Sequence, residues 1–149
     1  MSVPDFFYAI QPRWTGRDRF FKIFAVRGLL CGARVAGQVY DAEVAAHVPA
    51  LGNPLAKRAE LEDYYDSIDP TGDGFLARDP YNFHIEAKAI ESAQFATRSS
   101  WWTGGLPNLG RLKLRLRDGT QRKFILAGRQ DRAKIQSAFR HLGIPVVDS

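Results

Sequence analysis

Residues 111–117 read Arg-Leu-Lys-Leu-Arg-Leu-Arg and run into Asp118-Gly119. Unbroken alternation of apolar and cationic side chains has the period of a strand, so this stretch demands a sheet with one face buried and the other in water. Asp118-Gly119 closes a hairpin onto the following "TQRKFIL", and parity fixes the loop. A loop of two residues would oppose odd with even positions and set Leu114 beside Lys123. A loop of three, Arg117-Asp118-Gly119 with the glycine left-handed, puts Leu112, Leu114, Leu116, Phe124 and Leu126 on one face. The other face then shows Arg111, Lys113, Arg115 and Lys123.

A greasy ribbon needs a cover. The segment from Asp131 supplies Ile135, Ala138, Phe139 and Leu142 at helical spacing and stops at Gly143 and Pro145. Upstream, residues 6–10 and 20–27 are aromatic and β-branched and read as a hairpin, and "LLCGARVAGQVY" reads as a bent third strand whose glycines permit bulges or close backbone approach. Asp41 opens a helical stretch. A second helix is marked by Leu61, Tyr64, Tyr65 and Ile68 as the inward face, with Glu60, Glu62, Asp63 and Asp66 as the solvated one. Strands resume in "YNFHI" and "AIESAQFAT", with a kink expected near Ala87 to Ile90, where the period-2 pattern slips. The expected fold class is mainly β or α+β over 1–149 as a single domain: a seven-strand antiparallel bent sandwich or partly open barrel, with an amphipathic C-terminal helix and a helical insertion at residues 41–68.

The net charge of +5 hides a segregation. Residues 1–40 carry six basic and two acidic groups, residues 41–91 four and eleven, and residues 92–134 ten and two. Two basic blocks therefore flank an acidic one, which points to anionic partners more than the total does. The lone Cys31 excludes an internal disulfide and a cysteine-based zinc cluster, and with no legible secretion leader the expected location is the cytoplasm, peripheral to a membrane at most. Apolar runs are cut by arginines well short of the roughly 20 residues of a spanning helix.

Motifs for catalysis or metal binding fail on spacing. "DPTGDGFLARDP" starts like a calcium loop, with Asp69, Thr71, Asp73 and Gly74 in place, but Pro80 stands where a bidentate carboxylate belongs, so an Asx-and-glycine turn is expected. His47, His84 and His141 lie on separate elements. The glycines 104, 105 and 110 lack the lysine and the strand-to-helix setting of a phosphate loop. No catalytic residue, metal or cofactor is expected, and the chain reads as a non-enzymatic binding module. A polar pocket joining His84 to carboxylates of residues 60–79 would reverse that reading.

The element order over residues 6–142, and above all "GRLKLRLRDGTQRKFILAGRQDRAKIQSAFRHL", resembles bacterial pleckstrin-homology-like domains of undefined function. The resemblance implies two bent sheets with one corner plugged by the last helix, and the helical insertion departs from it. In members that bind phosphoinositides, basic side chains at the end of the first strand and at the start of the second grip the headgroup. Arg13 and the Arg17-Asp18-Arg19 step take similar places here, and with Lys22 and Trp14 they make up the expected site for an anionic headgroup or an acidic protein partner. A second basic surface is expected on the outward face of the hairpin: Arg98, Arg111, Lys113, Arg115, Arg122 and Lys123, with Trp101 or Trp102 beside it. Arginines interleaved with aromatics also suit nucleic acid, the alternative partner. Of the adjacent tryptophans, one is expected to pack under the sheet and the other to serve as contact surface, in keeping with a possible homo-oligomer.

Overall fold

A computed structural model of the chain describes residues 5–12, 19–36, 54–96, 108–127 and 130–148. The elements in chain order are β1 (Asp5–Gln11), β2 (Arg19–Val26), β3 (Leu29–Ala36), α1 (Pro54–Ser67), α2 (Asp73–Ala77), β4 (Phe83–Glu86), β5 (Ile90–Ala96), β6 (Asn108–Leu116), β7 (Gln121–Ala127), α3 (Arg132–His141) and β8 (Val146–Asp148). The mainly-β expectation holds, with a correction in strand number and pairing. Among the described residues eight strands form one sheet in the order β4-β3-β2-β1-β7-β6-β5-β8, and β8 lies parallel to β5, so the sheet is mixed and unclosed.

Local signals account for the turns. Arg27 and Gly28 both take positive φ (49° and 74°) between the paired residues Val26 and Leu29, the two-residue connection whose twist suits a hairpin. The β6–β7 loop is the three-residue one that parity required: Leu112 faces Phe124, the amide of Leu116 donates to the Thr120 carbonyl, and Gly119 has φ 92°. The expected kink is a single 3-10 turn at Ala87–Ala89, which turns β4 into β5. Asp131 caps α3 by accepting from the amides of Ala133 and Lys134, and left-handed Gly143 ends it.

The sheet curls strongly. Phe83 on β4 and Phe124 on β7 bring their rings to 6.2 Å, although four strand spacings along a flat sheet would part them by about 19 Å. Curling creates an inner face, where Phe7, Phe21, Ile23, Phe83, Phe95, Leu112, Leu114 and Phe124 pack into one core sealed by Ile135 and Phe139 of α3. Among the described residues, the helical cover of the outer face lies over β1–β3, with Ile125 of β7 joining the same cluster. There Phe20, Phe24, Cys31 and Val35 pack beneath Tyr65 of α1 and Phe75 of α2. Gly32 is obligatory for the inner core, because a Cβ at that position would fall 2.2 Å from the Phe83 ring. Where the β1–β7 ladder ends at Ala9 and Leu126, the Gln130 side chain replaces the missing strand: its carboxamide accepts from the Tyr8 amide at 2.7 Å and donates to the Tyr8 carbonyl at 2.8 Å.

Two expectations about the helices need correction. Tyr64, expected to face inward, is among the exposed large side chains, because Tyr65 alone of the adjacent pair fills the pocket over Phe75. Glu62 and Asp66, expected in water, turn toward the sheet and pair with Lys22. Asp41 and the stretch it opens lie outside the described residues.

Candidate anion-binding site

Three strands deliver arginines to the same end of the inner face. Along β2, positions 19, 21, 23 and 25 point inward; along β3, 30, 32 and 34; along β7, 122, 124 and 126. Phe21 pairs with Arg34, Gln11 with Arg19, and Leu114 with Arg122. Below these positions the inner face is hydrocarbon, and at its rim it ends in Arg19, Arg34 and Arg122, with Tyr81 and Phe83 at the entrance to β4.

The aromatic rings hold the guanidinium groups. Arg19 lies 3.5 Å above the Tyr81 ring centroid and Arg34 lies 5.3 Å from it, while Arg122 sits 4.3 Å above Phe83. Stacking fixes the plane of a guanidinium and leaves its N–H edge free for a bidentate acceptor. Burial lowers the pKa of Arg122 from its usual value, and the positive charge of Arg19 lowers it further. Two like charges have thus been brought together in a partly desolvated place, and among the described residues neither has a carboxylate partner.

The third arginine is tethered. Arg34 Nε donates to Asp79 at 2.9 Å, and the other Asp79 oxygen accepts from the Tyr81 amide at 2.9 Å. Asn82 accepts from the Arg34 amide at 2.8 Å and donates to the Tyr65 hydroxyl at 2.9 Å and to the Phe75 carbonyl at 2.8 Å. Through this buried network α1 and α2 set the position of the rim. Burial raises the Tyr65 pKa, and the Asn82 contact lowers it in part.

Of the residues anticipated from sequence, Arg19 belongs to this rim. Arg13, Trp14 and Arg17 lie outside the described residues, as do Arg98, Trp101 and Trp102. Lys22 is a correction: its position is even on β2, so it points to the outer face under α1. Its side chain is 5% exposed, 2.9 Å from Asp66 and 3.5 Å from Glu62, which also accepts from the Tyr8 hydroxyl. Held there, it cannot reach a ligand at the rim. Arg122 is a second correction, since it shares the inner parity of Leu114 and not the outward face. Arg34, Tyr81 and Asp79 were missed. The signal for Arg34 was its even spacing from Leu30 and Gly32.

The remaining polar groups have local tasks. His84 Nε2 is 2.6 Å from the Pro70 carbonyl and the ring stacks on Phe75, so the contact that joins it to the 60–79 segment is a structural one. Asp69 makes the Asx turn read from the sequence, accepting from the Thr71 amide and hydroxyl, and pairs with Arg27. Burial pushes the Cys31 thiol to about 12. Among the described residues no group of three His, Cys, Asp or Glu is placed to hold a metal ion. No helix among them is long and apolar enough to cross a membrane. Neither a protein-family model nor a curated protein matches the chain.

Proposed function

We propose that the protein is a non-enzymatic interaction module that engages an anionic membrane surface end-on, with Arg19, Arg122 and Arg34 at the curled sheet's rim receiving a phosphate-bearing headgroup. The observation that carries this reading is the convergence of Arg19 and Arg122 without a carboxylate between them among the described residues. Guanidinium groups remain protonated at all physiological pH, so the rim offers binding and orientation, not proton transfer. The strand order β4-β3-β2-β1-β7-β6-β5 followed by α3 supports the pleckstrin-homology-like reading of the fold, to which β8 and the α1–α2 layer are additions.

The test is cosedimentation with phosphatidylcholine vesicles containing phosphatidylserine or a phosphorylated inositol lipid, beside calorimetry with inorganic phosphate and soluble inositol phosphate. Each rim arginine contributes about 1 kcal/mol near an anionic surface, so R19Q/R122Q lowers vesicle affinity roughly 30-fold, and the loss shrinks as salt rises. Binding to soluble phosphate alone reassigns the ligand to a free metabolite. Wild-type protein that ignores both probes at low salt refutes the proposal.

A further inference from the structure

A second cationic surface lies on the outer face of β5–β7, beyond the cover of α1 and α2. Arg111, Lys113 and Arg115 alternate outward along β6. Lys113 pairs directly with Lys123 of β7. Arg111, Arg115 and Lys123 are exposed and Lys113 is half-buried. None of the four has an ion pair among the described residues. The facing register positions are Ser92, Gln94 and Ala96 on β5 and Gln121 and Ile125 on β7; the exposed Glu91 lies in the β5 bulge next to Ser92 and makes no ion pair with the row.

Two ordinary reasons for such a row fail. Charges often guard an edge strand against aggregation, but β6 and β7 are interior strands of the sheet. Opposed like charges also weaken a strand pair where opposite charges would strengthen it, so sheet stability does not call for lysine at both 113 and 123. The row therefore points to something outside the fold. A protein interface of useful strength has an apolar centre and is depleted of lysine, and a membrane contact gains hold by inserting apolar side chains. Among the described residues this face offers neither: its apolar register positions on β5–β7 are Ala96 and the buried Ile125, both beside Arg111, and Val147 is exposed at the β8 margin. A phosphodiester strand needs no apolar patch, because neutralising its phosphates releases counterions.

We infer that the outer wall formed by Arg111, Lys113, Arg115 and Lys123 is a track for single-stranded nucleic acid, read through its backbone and not its sequence. The row extends about 14 Å along β6, enough for a short run of nucleotides, with the Ser92, Gln94 and Gln121 side chains as uncharged hydrogen-bonding margins. The wall lies on the outer face of the sheet, whereas Arg122 has the inner parity of Leu114, so the two sets of cations face opposite sides of β6–β7.

Fluorescence anisotropy with a labelled 12-nucleotide thymidine strand, titrated from 20 to 200 mM salt, tests the assignment. Four backbone contacts give a slope of log K against log salt of about −2.8. K113Q/K123Q brings it to about −1.4 and weakens binding at every salt concentration, whereas R19Q/R122Q leaves it unchanged. All variants are checked for native circular dichroism, and these surface changes leave the core intact. No binding at 20 mM salt overturns the inference, as does a slope indifferent to K113Q/K123Q. Displacement of the strand by an alternating Glu-Thr peptide in preference to unlabelled oligonucleotide reassigns the wall to an acidic protein. Binding to anionic vesicles that K113Q/K123Q abolishes reassigns it to a membrane, and tighter binding of duplex than of single strand rejects the single-strand assignment.

Discussion

Lys22 ties the acidic helical layer to the sheet, and its surroundings allow the consequence of cutting it to be worked out. The ammonium lies 2.9 Å from Asp66 and 3.5 Å from Glu62, and 4.2 Å above the Phe6 ring. The lysine side chain is 5% exposed, but the carboxylates are 50% and 18% exposed for Asp66 and Glu62. Loss of either side of the contact is therefore asymmetric. E62Q/D66N strands a charge that water cannot reach, a situation that costs about 3 to 5 kcal/mol. K22M instead leaves two carboxylates that retain some solvent and replaces the stem with hydrocarbon of similar length, so a cost of about 1 to 2 kcal/mol is expected. The triple variant K22M/E62Q/D66N has no stranded charge and lies within about 0.5 kcal/mol of K22M. The cycle thus yields a coupling of about 3 kcal/mol or more, measured by urea unfolding at pH 7 with unchanged m-values. Additive effects within about 0.5 kcal/mol would show that the carboxylates do not hold Lys22, and the account of α1 docking by charge would be wrong.

Two further outcomes follow from single contacts. G32A drives a methyl group into the Phe83 ring and loses about 1 to 3 kcal/mol in a thermal melt, part of it regained in G32A/F83L; a neutral G32A would mean that Phe83 does not lie on the β3 backbone. Asp148 is held below its ordinary pKa first by the Arg132 hydrogen bond and then by Gln136, so its contribution is full above the unfolded value near 3.9 and is lost as the pH falls through the lower folded one. Amide protection of Val147 should accordingly decay in acid while β5 stays protected, and D148N should fray β8 at every pH; protection of Val147 unchanged down to about pH 2 would refute the tie.

What the sequence disclosed was periodicity. The β6–β7 hairpin, its three-residue loop, the break at Ala87–Ala89 and the Asp131 cap each announce themselves within a dozen residues, because each is a local conflict or agreement of side-chain pattern with backbone period. Short elements escape that test. β8 has three residues and α2 has five, the latter inside a segment that imitates a calcium loop. Charge misled in a different manner. Lys22 and Arg122 were read as outward because they are cations, although parity with Phe20 and Phe24 in one case, and with Phe124 and Leu126 in the other, places each on a packed face. The rim was illegible for a third reason: Arg34 and Tyr81 meet only because the chain leaves β3, builds α1 and α2, and returns along its edge.

The three charge blocks acquire meaning once the pairs are known. Carboxylates of the middle block meet the first basic block: Glu62 and Asp66 on Lys22, Asp69 on Arg27, Asp79 on Arg34. Four of the eleven carboxylates of this block are committed to these pairs, and a carboxylate held against a lysine or arginine of the first block screens the last basic block less. Arg122 and the row on β6–β7 consequently keep their fields, one on the inner face and one on the outer. If the middle block served as a general counterweight, charge reversal at Glu60 or Asp63, which project from α1 into water, would strengthen both anion sites equally. With the acid committed to local pairs, E60K and D63K leave the R19Q/R122Q and K113Q/K123Q effects as they were, and only E62Q/D66N disturbs the rim, through release of α1 and with it the Tyr65–Asn82 contact. Equal strengthening of vesicle and oligonucleotide binding by E60K would show that long-range field, not placement, governs this protein's partners.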